Sequence, residues 1–387
     1  MRITLFLLAL GLTVFAGETE NSQAAAPPAA SPQDPAKPAD PAPPPAPAAK
    51  YNGWVFSILA DGYVTKNFNT PSSNFNQLQN FDLTSGHPEL SFAKFTVDKS
   101  DKVFGIHADI GAGESMRWIH LGDPAALDHK ALRFIEQAYV IVKPNHTHGT
   151  EFDFGQFVTS AGAEVIESSS NWNYTRSLLF AWAIPYYHFG LRTSTPVTKE
   201  LNVGFQLVNA WNSIWGNNNM DNIGLTLALT KKKFAYSANY YEGPNHQGTT
   251  KGKRNLFDTT LLLTPTGKFN AYINADFGRD NHIIGGGGDS WYGIAGAARY
   301  QLTKQFAVAG RLEAFNDKDG FNTGVAQVVK EVTLTGEYKL NDHLVGRLEY
   351  RHDASDKPYF DRNRFLAVEK NMNTFTAGIV VLLGPWK

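Results

Sequence analysis

From residue 51 to the end of the chain, apolar and polar positions alternate with a period of two over stretches of about ten residues, separated by connectors that are in turn short and long. Between residues 343 and 353, Leu344, Gly346, Leu348 and Tyr350 share one face, while His343, Arg347, Glu349, Arg351 and Asp353 share the other. The neighbouring stretches repeat the pattern: Val308, Gly310, Leu312 and Ala314 oppose Arg311 and Glu313, and Val332, Leu334 and Tyr338 oppose Glu331, Thr333, Thr335 and Glu337. In the last stretch Phe375, Ala377, Ile379, Val381 and Leu383 oppose Thr374, Thr376 and Gly378. A soluble sandwich needs a dry inner face and cannot line up arginines and glutamates there. Lipid on the apolar face and a polar lumen on the other satisfy both.

The alternation predicts strands at 54–68, 89–98, 102–111, 132–143, 149–159, 185–195, 200–211, 221–230, 233–242, 254–264, 268–278, 290–302, 305–316, 328–340, 343–353 and 371–383. That is about sixteen, an even number, as a single-chain outer-membrane barrel requires. Tight turns rich in Pro, Gly, Asn, Asp and Lys fall at 99–101, 144–148, 196–199, 231–232, 265–267, 303–304 and 341–342, all at one end. The predicted fold is all-β: a transmembrane antiparallel up-and-down β-barrel with short periplasmic turns, long extracellular loops and both termini inside.

Composition narrows the alternatives. Among 387 residues, 13% are aromatic, 34 are Gly and only 4 are Met, a bias toward strands and turns over helices. After the first twenty residues no segment reaches the roughly eighteen apolar residues a spanning helix needs. A mean hydropathy of −0.29 suits a barrel, in which lumen-facing polar residues cancel lipid-facing apolar ones. The net charge of −1 argues against a nucleic-acid partner.

Arg2 precedes an apolar run from Ile3 to Phe15, the pattern of a signal peptide, with cleavage after Ala16 or Ala26. We take 1–26 as signal peptide, 27–50 as an Ala/Pro-rich linker too poor in apolar bulk to fold, and 51–387 as the barrel. No Cys is present, so the chain carries neither a lipoprotein anchor nor a disulfide. Trp54, Tyr63, Tyr139, Tyr186, Tyr187, Trp211, Trp215, Tyr240, Tyr241, Trp291, Tyr292, Tyr300, Tyr338 and Tyr350 gather toward strand ends, where interface girdles would place them.

Several blocks carry a family resemblance: Asp61-Gly62-Tyr63, Asn67-Phe68-Asn69-Thr70-Pro71, Glu136 to Val140, Asp153 to Glu164, and Asn173-Tyr174-Thr175-Arg176-Ser177 leading to Pro185, His188, Gly190 and Arg192. Together they resemble the β-barrel porin-2, OmpL-like family of bacterial outer-membrane proteins over about residues 51–384. The chain departs from the usual aromatic finish of such barrels by adding Gly384-Pro385-Trp386-Lys387 after its last predicted strand. The resemblance implies a diffusion pore. Similarity to sixteen-stranded general porins, whose third loop narrows the channel, implies that the third long connector, 160–184, folds into the lumen as a constriction, with Glu164, Glu167 and Arg176 as its charges. Glu164 and Glu167 would then face Arg311, Arg347 and Arg351 across the channel, creating a transverse field. The alternative is an outer cap in which Trp172, Tyr174, Leu178, Leu179, Phe180 and Trp182 pack together.

The pore-lining candidates are Arg311, Glu313, Glu331, Glu337, Arg347, Glu349 and Arg351. Other motifs carry less. Gly288-Asp289-Ser290 resembles an esterase nucleophile block but leads into a strand rather than a helix. His188 and His352 suggest a barrel lipid hydrolase but have no obvious serine partner, and His146 and His148 make a weak metal pair. The reading is therefore a non-enzymatic outer-membrane porin for small hydrophilic solutes and ions, with no cofactor or metal. Its expected partners are outer-membrane lipid and lipopolysaccharide, the barrel assembly machinery, and other copies in a homo-oligomer. The competing reading is a structural or adhesive barrel whose long loops bind something.

Overall fold

The computed structural model describes residues 53–216, 222–246 and 248–386. The segments taken as signal peptide and linker lie outside them. The chain runs up and down through β1 (Trp54–Asn67), β2 (Pro88–Ser100), β3 (Phe104–Ala112), β4 (Ile135–Val142), β5 (Glu151–Val158), β6 (Tyr187–Pro196), β7 (Leu201–Val208) and β8 (Asn222–Thr230). It continues through β9 (Phe234–Pro244), β10 (Lys253–Leu263), β11 (Phe269–Asn281), β12 (Gly288–Gln301), β13 (Phe306–Asp317), β14 (Gln327–Asn341) and β15 (Leu344–Ser355). A small hairpin of β16 (Phe360–Arg362) and β17 (Phe365–Glu369) follows, then β18 (Asn371–Trp386). Each wall strand pairs antiparallel with its neighbours, and β18 pairs with both β15 and β1, so sixteen strands close into one barrel.

The period-two pattern decides which face is which. Leu312 is 63% exposed and Leu334 60%, while their neighbours Arg311 and Thr333 are 1% and 0% exposed. Register then stacks the inner charges. Arg311 lies opposite Thr333, and Thr333 opposite Arg351; one step along, Glu313 lies opposite Glu331, and Glu331 opposite Asp353. A single wall patch on β13–β15 thus gathers most of the predicted lumen charges.

Every predicted strand is present with shifted ends. β4 begins at Ile135 because residues 130–134 form a short 3-10 turn, and β6 begins at Tyr187 because Leu179–Ala183 is a π-helical turn. β18 runs on past a bulge to Trp386, which pairs with Phe56, so most of the predicted four-residue tail is strand. The connector at 354–370 holds the β16–β17 hairpin.

The aromatic girdle is smaller than expected. Tyr292, Tyr300, Tyr338 and Tyr350 are exposed on the outer surface, but Tyr63, Tyr186, Tyr187, Tyr241 and Trp291 are buried inside. Period two requires this in part, since Tyr240-Tyr241 and Trp291-Tyr292 cannot each present both rings to lipid.

The long connectors supply the reason for the buried rings. Loops L1 (68–87), L2 (113–134) and L3 (159–186) turn inward and build a core inside the barrel. Leu78 and Phe81 of L1, Met116 and Ile119 of L2, and Leu178, Leu179, Phe180 and Ile184 of L3 pack with Phe92, Trp291 and Phe315 of the wall. Burying these side chains removes from water an apolar surface that a capping loop would leave exposed.

Candidate functional site: the loop-filled lumen

L3 is held by wall charges acting on its backbone. Glu313 accepts the N–H groups of Leu178 (2.6 Å) and Leu179 (3.2 Å), and Glu349 accepts those of Tyr174 (2.5 Å) and Thr175 (2.9 Å). Arg347 donates to the carbonyls of Ser168 (2.5 Å) and Asn171 (2.8 Å), and Arg351 to that of Arg176 (2.7 Å). Arg311 donates to the Thr175 carbonyl (2.8 Å), to Glu164 (2.6 Å) and to Glu331 (3.1 Å). A loop inside a barrel has no strand partner for its N–H and C=O groups, and charged side chains make the strongest substitutes.

Six predicted wall residues, Arg311, Glu313, Glu331, Arg347, Glu349 and Arg351, are therefore brought into one network with L3. Glu337 lies nearer the short-turn end, between Arg347 (2.6 Å) and Arg299 (2.8 Å). The predicted loop charges diverge. Glu164 meets Arg311 directly, so no gap separates that pair. Burial alone would raise the Glu164 carboxyl, but the Arg311 guanidinium and the Ser177 N–H outweigh it and hold it below the usual range. Glu167 turns to the opposite wall and pairs with Lys94, which also holds Asp109 (3.2 Å) and Glu136 (3.1 Å). Arg176 lies over the Phe81 ring at 4.8 Å and donates to the carbonyls of Tyr174 (2.8 Å) and Ile166. Direct contact replaces the expected field across open water at Glu164, because pairing satisfies groups that the inner core would otherwise desolvate.

The Tyr174 ring sits in a notch on β18. Its hydroxyl donates to Asp61 (2.7 Å), and a Cβ at Gly378 would fall 2.3 Å from the ring. The rings expected to form a cap do pack closely, but inside the lumen: Trp172 lies 5.1 Å from Tyr272, and Phe180 lies 5.6 Å from Phe81.

L1 and L2 were not anticipated as lumen elements. Asn80 donates to the Ala181 carbonyl (2.7 Å) and the Tyr186 hydroxyl (2.9 Å), Trp182 donates to the Leu78 carbonyl (3.0 Å), and Gln79 reaches Thr374 on the wall (3.2 Å). Tyr187 donates to Asp123 of L2 (2.6 Å), and Tyr63 donates to Glu114. The signal for L1 was its run of apolar residues, of which Leu78, Phe81 and Leu83 are buried. Asp82, beside them, is fully buried, and its carboxylate oxygens have no hydrogen-bond partner among the described residues. Burial pushes it up to about 7, against the opposing pull of Arg351.

The histidines considered for lipid chemistry separate. His188 is buried in the lumen against Tyr241, ring centres 5.0 Å apart, whereas His352 bonds Asn373 (2.8 Å). Gly288-Asp289-Ser290 opens β12, where Asp289 pairs with His282 (3.0 Å).

On the wall of β5–β9, Asp153, Ser160, Arg192, Asn202, Gln206 and Asn239 border a cleft. Arg192 donates through Nε to Asp153 (2.8 Å), and its guanidinium lies 4.9 Å from the Tyr139 ring and 4.5 Å from the Phe157 ring. Parity along β6 carried this information, since His188, Gly190, Arg192 and Ser194 share one face.

A sequence profile described as "Putative beta-barrel porin-2, OmpL-like" matches residues 52–383. The chain belongs to this family. Its fold is that of outer-membrane barrels. OmpF of Salmonella typhi, solved with daunomycin, superposes with a TM-score of 0.57 at 12% identity, covering 86% of this chain and 99% of that one. The outer-membrane channel DcaP of Acinetobacter baumannii gives 0.55 at 10%, covering 86% and 99%. A trimer form of OmpT, an outer-membrane protein of Vibrio cholerae, gives 0.53 at 12%, covering 85% and 98%. No curated protein sequence matches the chain. A porin-family barrel of this kind resides in the outer membrane, with its exposed apolar face against lipid.

Proposed function

We propose that the protein is a non-enzymatic outer-membrane porin through which small hydrophilic solutes and ions diffuse passively. The observation that carries this reading is the closed barrel of a porin family with an apolar outer face and a polar, charged inner one. In this reading L3 is the constriction. Arg311, Glu313, Glu331, Arg347, Glu349 and Arg351 fix the loop, Glu337 extends the charged lining toward the periplasmic end, and solutes pass along the β5–β9 wall. Residues 1–26 act as the export signal and 27–50 as a periplasmic tether. Lipopolysaccharide and lipid surround the barrel after insertion by the assembly machinery, and the protein works as a homo-oligomer.

Single-channel recording in a planar lipid bilayer tests the reading. Stable stepwise openings, with a reversal potential in a salt gradient that reports ion preference, are the expected result. A folded barrel that never conducts removes the diffusion channel.

A further inference from the structure

The lipid-facing surface of β11–β14 is not smooth. An open, apolar trough of ≈820 Å³ crosses it, with Gly296, Ala298 and Gly310 on its floor and the exposed Ile294, Leu312 and Leu334 standing along it. Register makes this relief, since Gly296 lies opposite Leu312, and Gly310 lies between Ala298 and Leu334. Neither glycine has a left-handed backbone, and an added Cβ would meet nothing closer than 3.7 Å at Gly296 and 3.4 Å at Gly310. The wall has room for side chains at both positions, and their absence opens the trough.

Lys330 lines the extracellular end of the same trough. It is exposed on the outward face of β14, which it shares with Val332 and Leu334, and its ammonium has no ion pair or hydrogen bond among the described residues. His352 is its diagonal neighbour on that face, because Lys330 pairs with Ala354 and Val332 with His352. The Asn373 amide oxygen accepts from the Tyr350 hydroxyl (2.6 Å) and lies 2.8 Å from His352 Nδ1. That oxygen can only accept, so Nδ1 carries a proton, and the half-buried His352 keeps Nε2 without a partner among the described residues.

An ammonium on a lipid-facing wall is costly unless it reaches the membrane interface and finds an anion there. An apolar groove that ends at such a cation matches a lipid with an acyl chain at one end and a phosphate at the other. We propose that the trough binds one molecule of lipopolysaccharide from the extracellular leaflet. An acyl chain lies over Gly296 and Gly310, and a phosphate accepts from Lys330, with His352 Nε2 beside it. A second copy of the chain would cover the trough with another apolar face and leave Lys330 without a counter-charge. The site goes beyond the porin reading and does not depend on whether the barrel conducts.

The test is native mass spectrometry of the full chain folded in mild detergent and titrated with diphosphorylated lipid A, or with diacylglycerol, which has acyl chains and no phosphate. Lipid A is expected to add saturably, one per chain, and diacylglycerol roughly tenfold more weakly, the loss that follows from removing a hydrogen bond to a charged group. Lys330→Gln should raise the half-saturating concentration of lipid A by a similar factor. Gly310→Leu, which fills the floor and keeps the lysine, should do the same. Equal binding of the two lipids, or lipid A binding unchanged in both variants, overturns the proposal. The lipid comparison uses the unaltered protein and stands even if a variant does not fold. An oligomer mass that Gly310→Leu converts to the single-chain mass, with lipid A binding unaffected, overturns it as well and assigns the trough to a second copy of the chain.

Discussion

Arg311 illustrates how much one side chain holds. It lies within salt-bridge distance of Glu164 (2.6 Å), Glu331 (3.1 Å) and Glu313 (3.9 Å), with almost no solvent contact. Removing one partner from a buried ionic group leaves uncompensated charge and costs about 3–5 kcal/mol. Arg311→Met is therefore expected to lower the unfolding midpoint of the detergent-folded barrel in urea, and adding Glu164→Gln should recover part of the loss. Asp82 sets a pH dependence of defined sign. Its folded value of about 7 exceeds the ordinary 3.8, so the neutral form favours the docked L1. That contribution is complete below about pH 4, declines as the pH rises, and is gone above about 7. The protection of L1 amides, taken as the exchange rate relative to the intrinsic rate at the same pH, should be lower at pH 8 than at pH 5, and Asp82→Asn should abolish the difference. At this scale the inward position of Arg311 was legible from alternation alone. Its partner Glu164 emerged from the resemblance, while the Lys94 partner of Glu167 was not legible, because it depends on where L3 crosses the lumen.

Among the elements, strands were the most readable part of the chain. Period two survives any tertiary arrangement that keeps lipid on one side, so all sixteen wall strands were recoverable, with the faces of β13, β14, β15 and β18. Loops have no such rule. L1 and L2 enter the barrel because a few apolar residues, such as Phe81 and Ile119, find wall partners that are remote in sequence. The β16–β17 hairpin is too short for its alternation to stand out. Between element and wall the Gly378 notch offers a direct test. Gly378→Val places side-chain atoms where the Tyr174 ring lies, while β18 can accept a β-branched residue. The expected outcome is a folded barrel with L3 displaced and a larger single-channel conductance; unchanged conductance would mean that L3 does not set the narrowest point.

For the whole molecule, closure removes every exposed strand edge, so the barrel wall needs no second subunit for its hydrogen bonds. A homo-oligomer must instead form through the outer apolar face. Native mass spectrometry from mild detergent should give a multiple of the chain mass, and a single-chain mass at all protein concentrations would rule out the homo-oligomer proposed above. Sequence indicated the family and the barrel but could not indicate how full the lumen is, since that is settled by three loops meeting in space.

The β16–β17 hairpin joins this interior on one side only. Phe360 is buried in the core with Leu78 and Phe81, and Gln77 of L1 donates to Asp361 (3.0 Å), while Phe365, Leu366 and Val368 are exposed at 55%, 74% and 49%. The two sides of this hairpin are therefore under different constraints: Phe365, Leu366 and Val368 are free to change, whereas Phe360 and Asp361, a few residues away, are tied to the loops that fill the lumen.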